Sequence, residues 1–371
     1  MSESYRQAFV KPRRRRSAVK PGMKSHIADD NEALICHWPE GQAYWLEDAL
    51  RGEAFSVTRF SAPWGQTRGP VASRLQTLSL GWRAARFAAS RGAAIVADSD
   101  GHDAGVCAAV ALLFRRSRRP VLCINLILWD GPGLRSRLRK LLYRLALKNP
   151  DCTFTVSTSE PLDYYARLLT ARADRFVVLP DCYTPGHRRF RQHETDDDGG
   201  YVFVGGDAAR DWETAIAAAQ ACSSIPFLFV AFKRHWPNLA LPPNVKLALD
   251  LPLDDFIEAL RSCRLSLVLL TDSTVTAGLN VVKYGALMGS LVITTKTPAT
   301  QKYHPSECED LLVPMSNPAS VVQLINDYWT DQDGRTEAAT RLQQHVLESH
   351  SPEAFVNTIT AHLRGTSSTN G

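Results

Sequence analysis

The sequence predicts an α/β protein built as two domains that face each other across a cleft. Three observations lead there. The chain is 371 residues long, more than one ordinary core encloses and a comfortable length for two. Short apolar runs alternate with longer amphipathic stretches, the pattern of parallel strands joined by crossover helices. Near the middle a polar, turn-rich stretch, DCYTPGHRRFRQHETDDDGG (181–200), interrupts that alternation. Its Pro, Gly and charge content is that of an exposed linker.

Residues 1–28 form a basic tail that reads as disordered. No apolar segment with a small-residue cleavage site follows its charges, so it does not read as a signal peptide. The first domain, 29–185, carries strands at ALICHW (33–38), AFSVTRF (54–60), AAIVADS (93–99), PVLCINLI (120–127), TFTVST (153–158) and RFVVLP (175–180). The second, 186–350, carries them at YVFVGG (201–206), PFLFVAF (226–232), NVKLALD (244–250), LSLVLLT (265–271), SLVITT (290–295) and EDLLVP (309–314). A terminal helix and a frayed tail complete the chain over 351–371. Both halves have the same βα alternation, so both read as Rossmann-like, and ligands are to be sought in the loops after the strands.

Composition narrows the function classes. Hydrophobic residues at 44% and charged residues at 22% are ordinary globular values. The longest apolar runs, such as VLCINLILW, are strand-sized and too short to span a bilayer, so the expected location is cytoplasmic. Eight cysteines lie far apart with no CxxC pair, which argues against a disulfide or zinc framework. The net charge of +5 hides an asymmetry: residues 1–190 hold 30 Lys and Arg against 17 Asp and Glu, while residues 191–371 hold 13 against 21. In the first half, LRSRLRKLLYRLALK (134–148) repeats leucine at helical spacing, with Arg and Lys on the other sides. This helix and the run RRSRRP (115–120) suit peripheral contact with an anionic membrane leaflet. A nucleic-acid partner is not expected, because no basic motif is interleaved with aromatics.

Two turns carry the strongest chemical signal. In YVFVGGDAARDWETAIAAAQ a strand runs through Gly205 and Gly206 into a helix beginning near Ala209 to Asp211. Glycine permits close backbone approach, a helix N-terminus favours an anion, and Arg210 could pair with a phosphate oxygen. In LSLVLLTDSTVTAGLNVVKYGALMGSLVITT a buried strand enters a Ser/Thr/Gly loop before a helix near Gly278. Here Thr276, Ala277, Gly278 and Leu279 would present hydroxyl and amide groups to a diphosphate. The competing reading is an ordinary capped helix, with Thr276 satisfying the amides itself. Lys233 follows PFLFVAF at the strand end that could reach the same anion.

In the first half the loop DSDGHDAG presents Asp100 and His102 at a strand end, candidates for a general base that deprotonates an acceptor hydroxyl. Alternatively Asp103 caps a helix starting at Ala104. Glu40, Gly41 and Gln42, after the first strand, would suit acceptor binding.

The second half resembles the bacterial glycosyltransferases of the GT-B fold, the family-4-like group that includes sucrose-synthase-like enzymes and transferases of lipopolysaccharide and exopolysaccharide synthesis. The matching segments are VFVGGDAARDWETAIAAAQ, PPNVKLALDLPLDDFIEALRSCRLSLVLL, TAGLNVVKYGALMGSLVITT and TPATQKYHPSECEDLLVPMSNPASVVQLI, in order over roughly 120 residues. The resemblance implies two facing Rossmann-like domains, a UDP- or GDP-linked sugar as donor in the second, and a saccharide or lipid-linked saccharide as acceptor in the first. It implies no cofactor and no metal, because cationic side chains and backbone dipoles can neutralise the leaving diphosphate. The family pairs two glutamates with seven residues between them, one on the sugar and one on the ribose. Their positions fall on Thr276 and Tyr284 here, so both carboxylates are replaced. Lys283 next door is a candidate substitute in ribose or phosphate binding. The alternative is a non-catalytic relative that binds a nucleotide sugar or a partner transferase as a scaffold. A third reading is a nucleotide-sugar epimerase.

Overall fold

The computed structural model describes residues 32–37, 44–61, 70–98, 101–126, 128, 133–159, 161–183, 200–206, 209–233, 236–237, 239–271 and 277–368. The statements below concern these residues.

Twelve strands fall where the apolar runs predict them. The first six are β1 (Glu32–His37), β2 (Ser56–Ser61), β3 (Ala94–Ala97), β4 (Val121–Cys123), β5 (Cys152–Val156) and β6 (Phe176–Val178). The remaining six are β7 (Val202–Gly206), β8 (Phe227–Ala231), β9 (Val245–Leu249), β10 (Leu265–Val268), β11 (Leu291–Thr295) and β12 (Leu312–Val313). They form two sheets of six, ordered β2-β1-β3-β4-β5-β6 and β12-β11-β10-β7-β8-β9. Every pairing is parallel. Parallel strands are covered on both faces, so they are near-continuous apolar runs, here with single buried Ser and Thr residues such as Ser266 and Thr294. Accordingly, every residue of β3, β4, β5, β10 and β11 is buried.

Helices α1 (Tyr44–Gly52), α2 (Pro70–Arg91), α3 (His102–Phe114), α4 (Leu134–Leu147) and α5 (Leu162–Leu169) link the first sheet. Helices α6 (Trp212–Ala221), α7 (Leu253–Arg261), α8 (Leu279–Leu287), α9 (Pro298–Gln301), α10 (Pro318–Thr330), α11 (Gln332–Ser349) and α12 (Pro352–Ser368) complete the chain. The first sheet has a distinct core on each face. Residues of α2 to α5 fill one, with Ala84, Ala88, Val106, Leu112, Tyr143 and Leu169 among them. The other is closed by α1 and, from the far end of the chain, by α12, whose Phe355, Val356, Ile359 and Leu363 pack with Ile35, Val57 and Val96. The chain therefore crosses between the sheets twice, after β6 and between α11 and α12.

Each sheet reverses its strand order once, between β1 and β3 in the first and between β7 and β10 in the second. Where neighbouring strands send their crossovers to opposite sides, the loops at their carboxyl ends part and leave a crevice. The chemistry is therefore to be sought after β1 and β3, and after β7 and β10.

Candidate functional site

The crevice of the second sheet brings the two glycine turns together. Beyond β7 the segment Ala209–Asp211 lies antiparallel beside the exit of β10: Arg210 and Leu270 form an isolated bridge, Asp211 N donates to Leu269 O (3.0 Å) and Thr271 N to Ala209 O (3.0 Å). This pairing folds the Arg210 side chain back over β7, where its Nε donates to Gly205 O at 2.9 Å. Two glycines make room for the guanidinium. A Cβ on Gly206, at φ 137°, would collide with it, and one on Gly278, at φ 82°, would lie 3.3 Å from its Nη1 and 2.7 Å from Val268 Cγ1. Both positions need glycine, for the left-handed backbone and for the close approach. Arg210 is 9% exposed, and burial brings its pKa down from 12.5 to about 10, so it remains a cation at neutral pH.

The two helices that start here are capped differently. At α6, Asp211 accepts from Thr214 N (3.0 Å) and from Thr214 Oγ1 (2.8 Å), an N-cap that satisfies the helix by itself. At α8 the N-cap is Gly278, which has no side chain to offer. Helix α6 is thus capped by its own chain, and α8 begins beside the Arg210 guanidinium. The N-terminus of a helix and a buried cation add their fields at one place. Thr276 lies outside the described residues. Ala277 and Gly278 are half-buried, Leu279 is buried and Tyr284 is half-buried on α8.

Lys233 follows β8, whose Ala231 is in register with Gly206. It is exposed, and its main-chain N donates to Asp250 Oδ1 at 3.1 Å, which holds the turn and leaves the ammonium outside the core. Lys283 is placed otherwise. It is 3% exposed, and its Nζ donates to Cys182 O at 2.8 Å, in the segment where the chain leaves the first sheet. His350, between α11 and α12, grips the same segment. Its Nδ1 faces Asp181 O at 2.9 Å and its Nε2 faces Lys302 O at 3.3 Å, while its ring stacks on Tyr303 with centroids 4.0 Å apart. Its own carbonyl accepts from Tyr183 N at 3.2 Å. The two crossings between the sheets are therefore tied to one another through His350, and Lys283 ties the first of them to α8, contacts that spacing along the chain gave no means of finding.

At the first sheet, Glu40, Gly41 and Gln42 follow β1 and Asp100 follows β3, all outside the described residues. His102 opens α3, where the N-cap is Gly101. The helix starts two residues before Ala104, and Asp103 does not cap it. Instead Asp103 Oδ1 accepts from Tyr143 Oη (2.6 Å) and from Arg139 Nη2 (3.1 Å). Because the Tyr143 hydroxyl donates its proton to Asp103, it accepts from His102 Nδ1, 3.0 Å away, which fixes the Nδ1–H tautomer. The ring is stacked between Tyr143 and Phe154 and is 5% exposed. Burial lowers its pKa to about 4, so it is neutral near pH 7. Its Nε2, buried, has no hydrogen-bond partner among the described residues.

No family model matches the sequence, and no curated protein matches it. Solved structures do. HepE of Anabaena, in complex with UDP and glucose, superposes with a TM-score of 0.65 at 15% identity, covering 90% of this chain and 100% of that one. Sucrose-phosphate synthase of Thermosynechococcus elongatus gives 0.63 at 17% identity, over 92% of this chain and 100% of the other. α,α-Trehalose 6-phosphate synthase of Burkholderia multivorans gives 0.59 at 10% identity, over 91% and 97%. The chain has the GT-B fold. In this fold's terms, β7, β10 and α8 make the crevice of the second sheet, and α12 returns to the first. Among the described residues no helix is long and apolar enough to cross a membrane.

Proposed function

We propose that this protein is a glycosyltransferase that moves a hexosyl group from a UDP- or GDP-linked sugar to a saccharide or lipid-linked saccharide acceptor in bacterial polysaccharide synthesis. The observation that carries the reading is the Arg210 guanidinium lodged between Gly206 and Gly278, beside the start of α8. The guanidinium is a fixed positive charge at the crevice, where an anionic group can approach it. A diphosphate supplies the charge and takes hydrogen bonds from the first-turn amides of α8. Lys233, exposed beyond β8, adds a mobile point charge. Together these groups stabilise the leaving nucleoside diphosphate with no metal ion and no cofactor. The HepE structures with UDP and with UDP-glucose support a nucleotide sugar as the ligand class.

The acceptor enters from the first sheet, over the loops that hold Glu40, Gly41 and Gln42 and Asp100. His102, neutral and fixed in the Nδ1–H tautomer, keeps a lone pair on Nε2, which suits it to accept a proton or orient a hydroxyl. The protein works in the cytoplasm, against the anionic inner leaflet where lipid-linked acceptors reside.

Tyr284 in place of the ribose carboxylate, and the engagement of Lys283 with Cys182 O, favour a second reading, a non-catalytic relative that holds a nucleotide sugar and regulates a partner. Incubation with UDP- and GDP-sugars, with and without a membrane extract as acceptor source, separates them. Release of nucleoside diphosphate that needs the extract and falls at least tenfold in Arg210→Lys and Lys233→Ala supports transfer. Binding without turnover supports the scaffold, and isomerised donor without acceptor would point to an epimerase.

A further inference from the structure

Helix α4 is amphipathic the wrong way round for a helix that only packs. Its buried residues are Tyr143 and Ala146. Leu134, Leu138 and Leu141, in positions i, i+4 and i+7, are instead 72, 56 and 52% exposed. At about 100° per residue they form one row roughly 150° around the helix from the buried side. Exposed Arg135, Arg137 and Arg144 flank the row, and α4 contains no Asp or Glu. Asp103, exposed beside it, is paired with Arg139.

The same arrangement recurs on α2. Leu75, Leu78 and Trp82 form an outward row, each more than half exposed, and α2 has no acidic residue but five arginines close to or within it, from Arg74 to Arg91 and on to Arg115, which lies over the Trp82 ring at 5.4 Å. Helix α3 packs between α2 and α4, and all three cover one face of the first sheet. The two rows therefore point away from the sheet on one surface, with Phe114 and the exposed Arg116 at the end of α3 between them, while Arg118 just beyond is paired with Asp151.

We propose that this face, with the leucine row of α4 at its centre, seats the protein on an anionic lipid surface, the leucines and Trp82 entering the interface and the arginines meeting the headgroups. Charge selects the occupant. A row of leucines alone fits any apolar partner, but leucines bordered on both sides by arginine, with no carboxylate on either helix, match a surface that is apolar within and anionic at its rim. The proposal deepens the membrane contact named above and rests on that part of the reading. It needs no nucleotide or sugar, so its test fails or succeeds independently of sugar transfer.

The test is flotation of the full chain with vesicles of phosphatidylcholine alone or with about a third phosphatidylserine. The wild type is expected to float with the anionic vesicles and not with the neutral ones. A triple variant, Leu134→Ser, Leu138→Ser and Leu141→Ser, keeps every charge, including the basic tail, and is expected to bind at least tenfold more weakly. Its far-UV spectrum and melting midpoint should match the wild type, since the side chains removed are exposed. Equal binding by the triple variant would assign the attraction to the tail and overturn the proposal, as would absence of wild-type binding. A wild-type dimer in sedimentation that dissociates in the triple variant would give the face to a second copy, and would overturn it too.

Discussion

Substitution of Gly278 by alanine probes the crevice at its tightest point. At φ 82° and ψ −15° the position lies in the left-handed region, where an L-residue costs about 1–2 kcal/mol over glycine. The new Cβ would also meet Val268 Cγ1 at 2.7 Å and Arg210 Nη1 at 3.3 Å. Val268 is fully buried in the middle of the second core, so it cannot swing aside, and overpacking of this kind costs about 1–3 kcal/mol. The sum is a loss of about 2–5 kcal/mol, read as a lower urea midpoint at unchanged slope. If the guanidinium gives way instead of the valine, part of the loss moves into ligand binding, and affinity for nucleoside diphosphates falls. A Gly278→Ala protein within about 0.5 kcal/mol of the wild type in stability, and equal to it in nucleotide binding, would refute the close packing of Arg210 against the α8 N-terminus.

Three further outcomes are expected. Unfolded, His102 titrates near the ordinary value of about 6.5, whereas burial holds it at about 4 in the fold. Its contribution is therefore fully present above about pH 6.5 and is lost as pH falls towards 4, on the order of 3 kcal/mol. Burial also lowers the pKa of His304 and His350, with the same sign, and urea unfolding from pH 7 to 4.5 should show a steep loss that His102→Phe makes shallower. Tyr143→Phe removes a buried hydroxyl shared by His102 and Asp103 and should cost about 1–3 kcal/mol in the same assay. Phe355→Ala should cost about 3–5 kcal/mol, because this α12 side chain is buried with the core of the first sheet, and truncation before Pro352 should leave that face bare and the protein insoluble.

The strands were readable because parallel strands covered on both faces are near-continuous apolar runs, which makes segments such as AAIVADS and LSLVLLT distinct from the helices between them. The glycine turns were readable as turns, and their meeting follows from the strand order, which sets β7 beside β10. Other features depend on contacts between segments distant in sequence. Nothing local in α12 says that it closes the core beneath α1. The leucines of α4 show a stripe but not which way it faces, and the structure turns three of them outward. Lys283 looks like a site residue by position, yet its ammonium is held by Cys182 O, 101 residues away. His102 was legible as chemically interesting, but its burial against Tyr143 and Phe154 depends on α4 and β5.

The central claim is that β7, β10 and α8 build one anion site around Arg210. Calorimetric titration of the protein with UDP and with GDP, beside Lys233→Ala and Arg210→Lys, tests it most directly. One of the two nucleotides should bind and, at about 100 times its Kd, stabilise the protein by about 2.7 kcal/mol. Both variants should bind at least tenfold more weakly, with the exposed Lys233→Ala leaving the unliganded melting point unchanged. No heat and no stabilisation with either nucleotide, or affinities untouched by both substitutions, would contradict it.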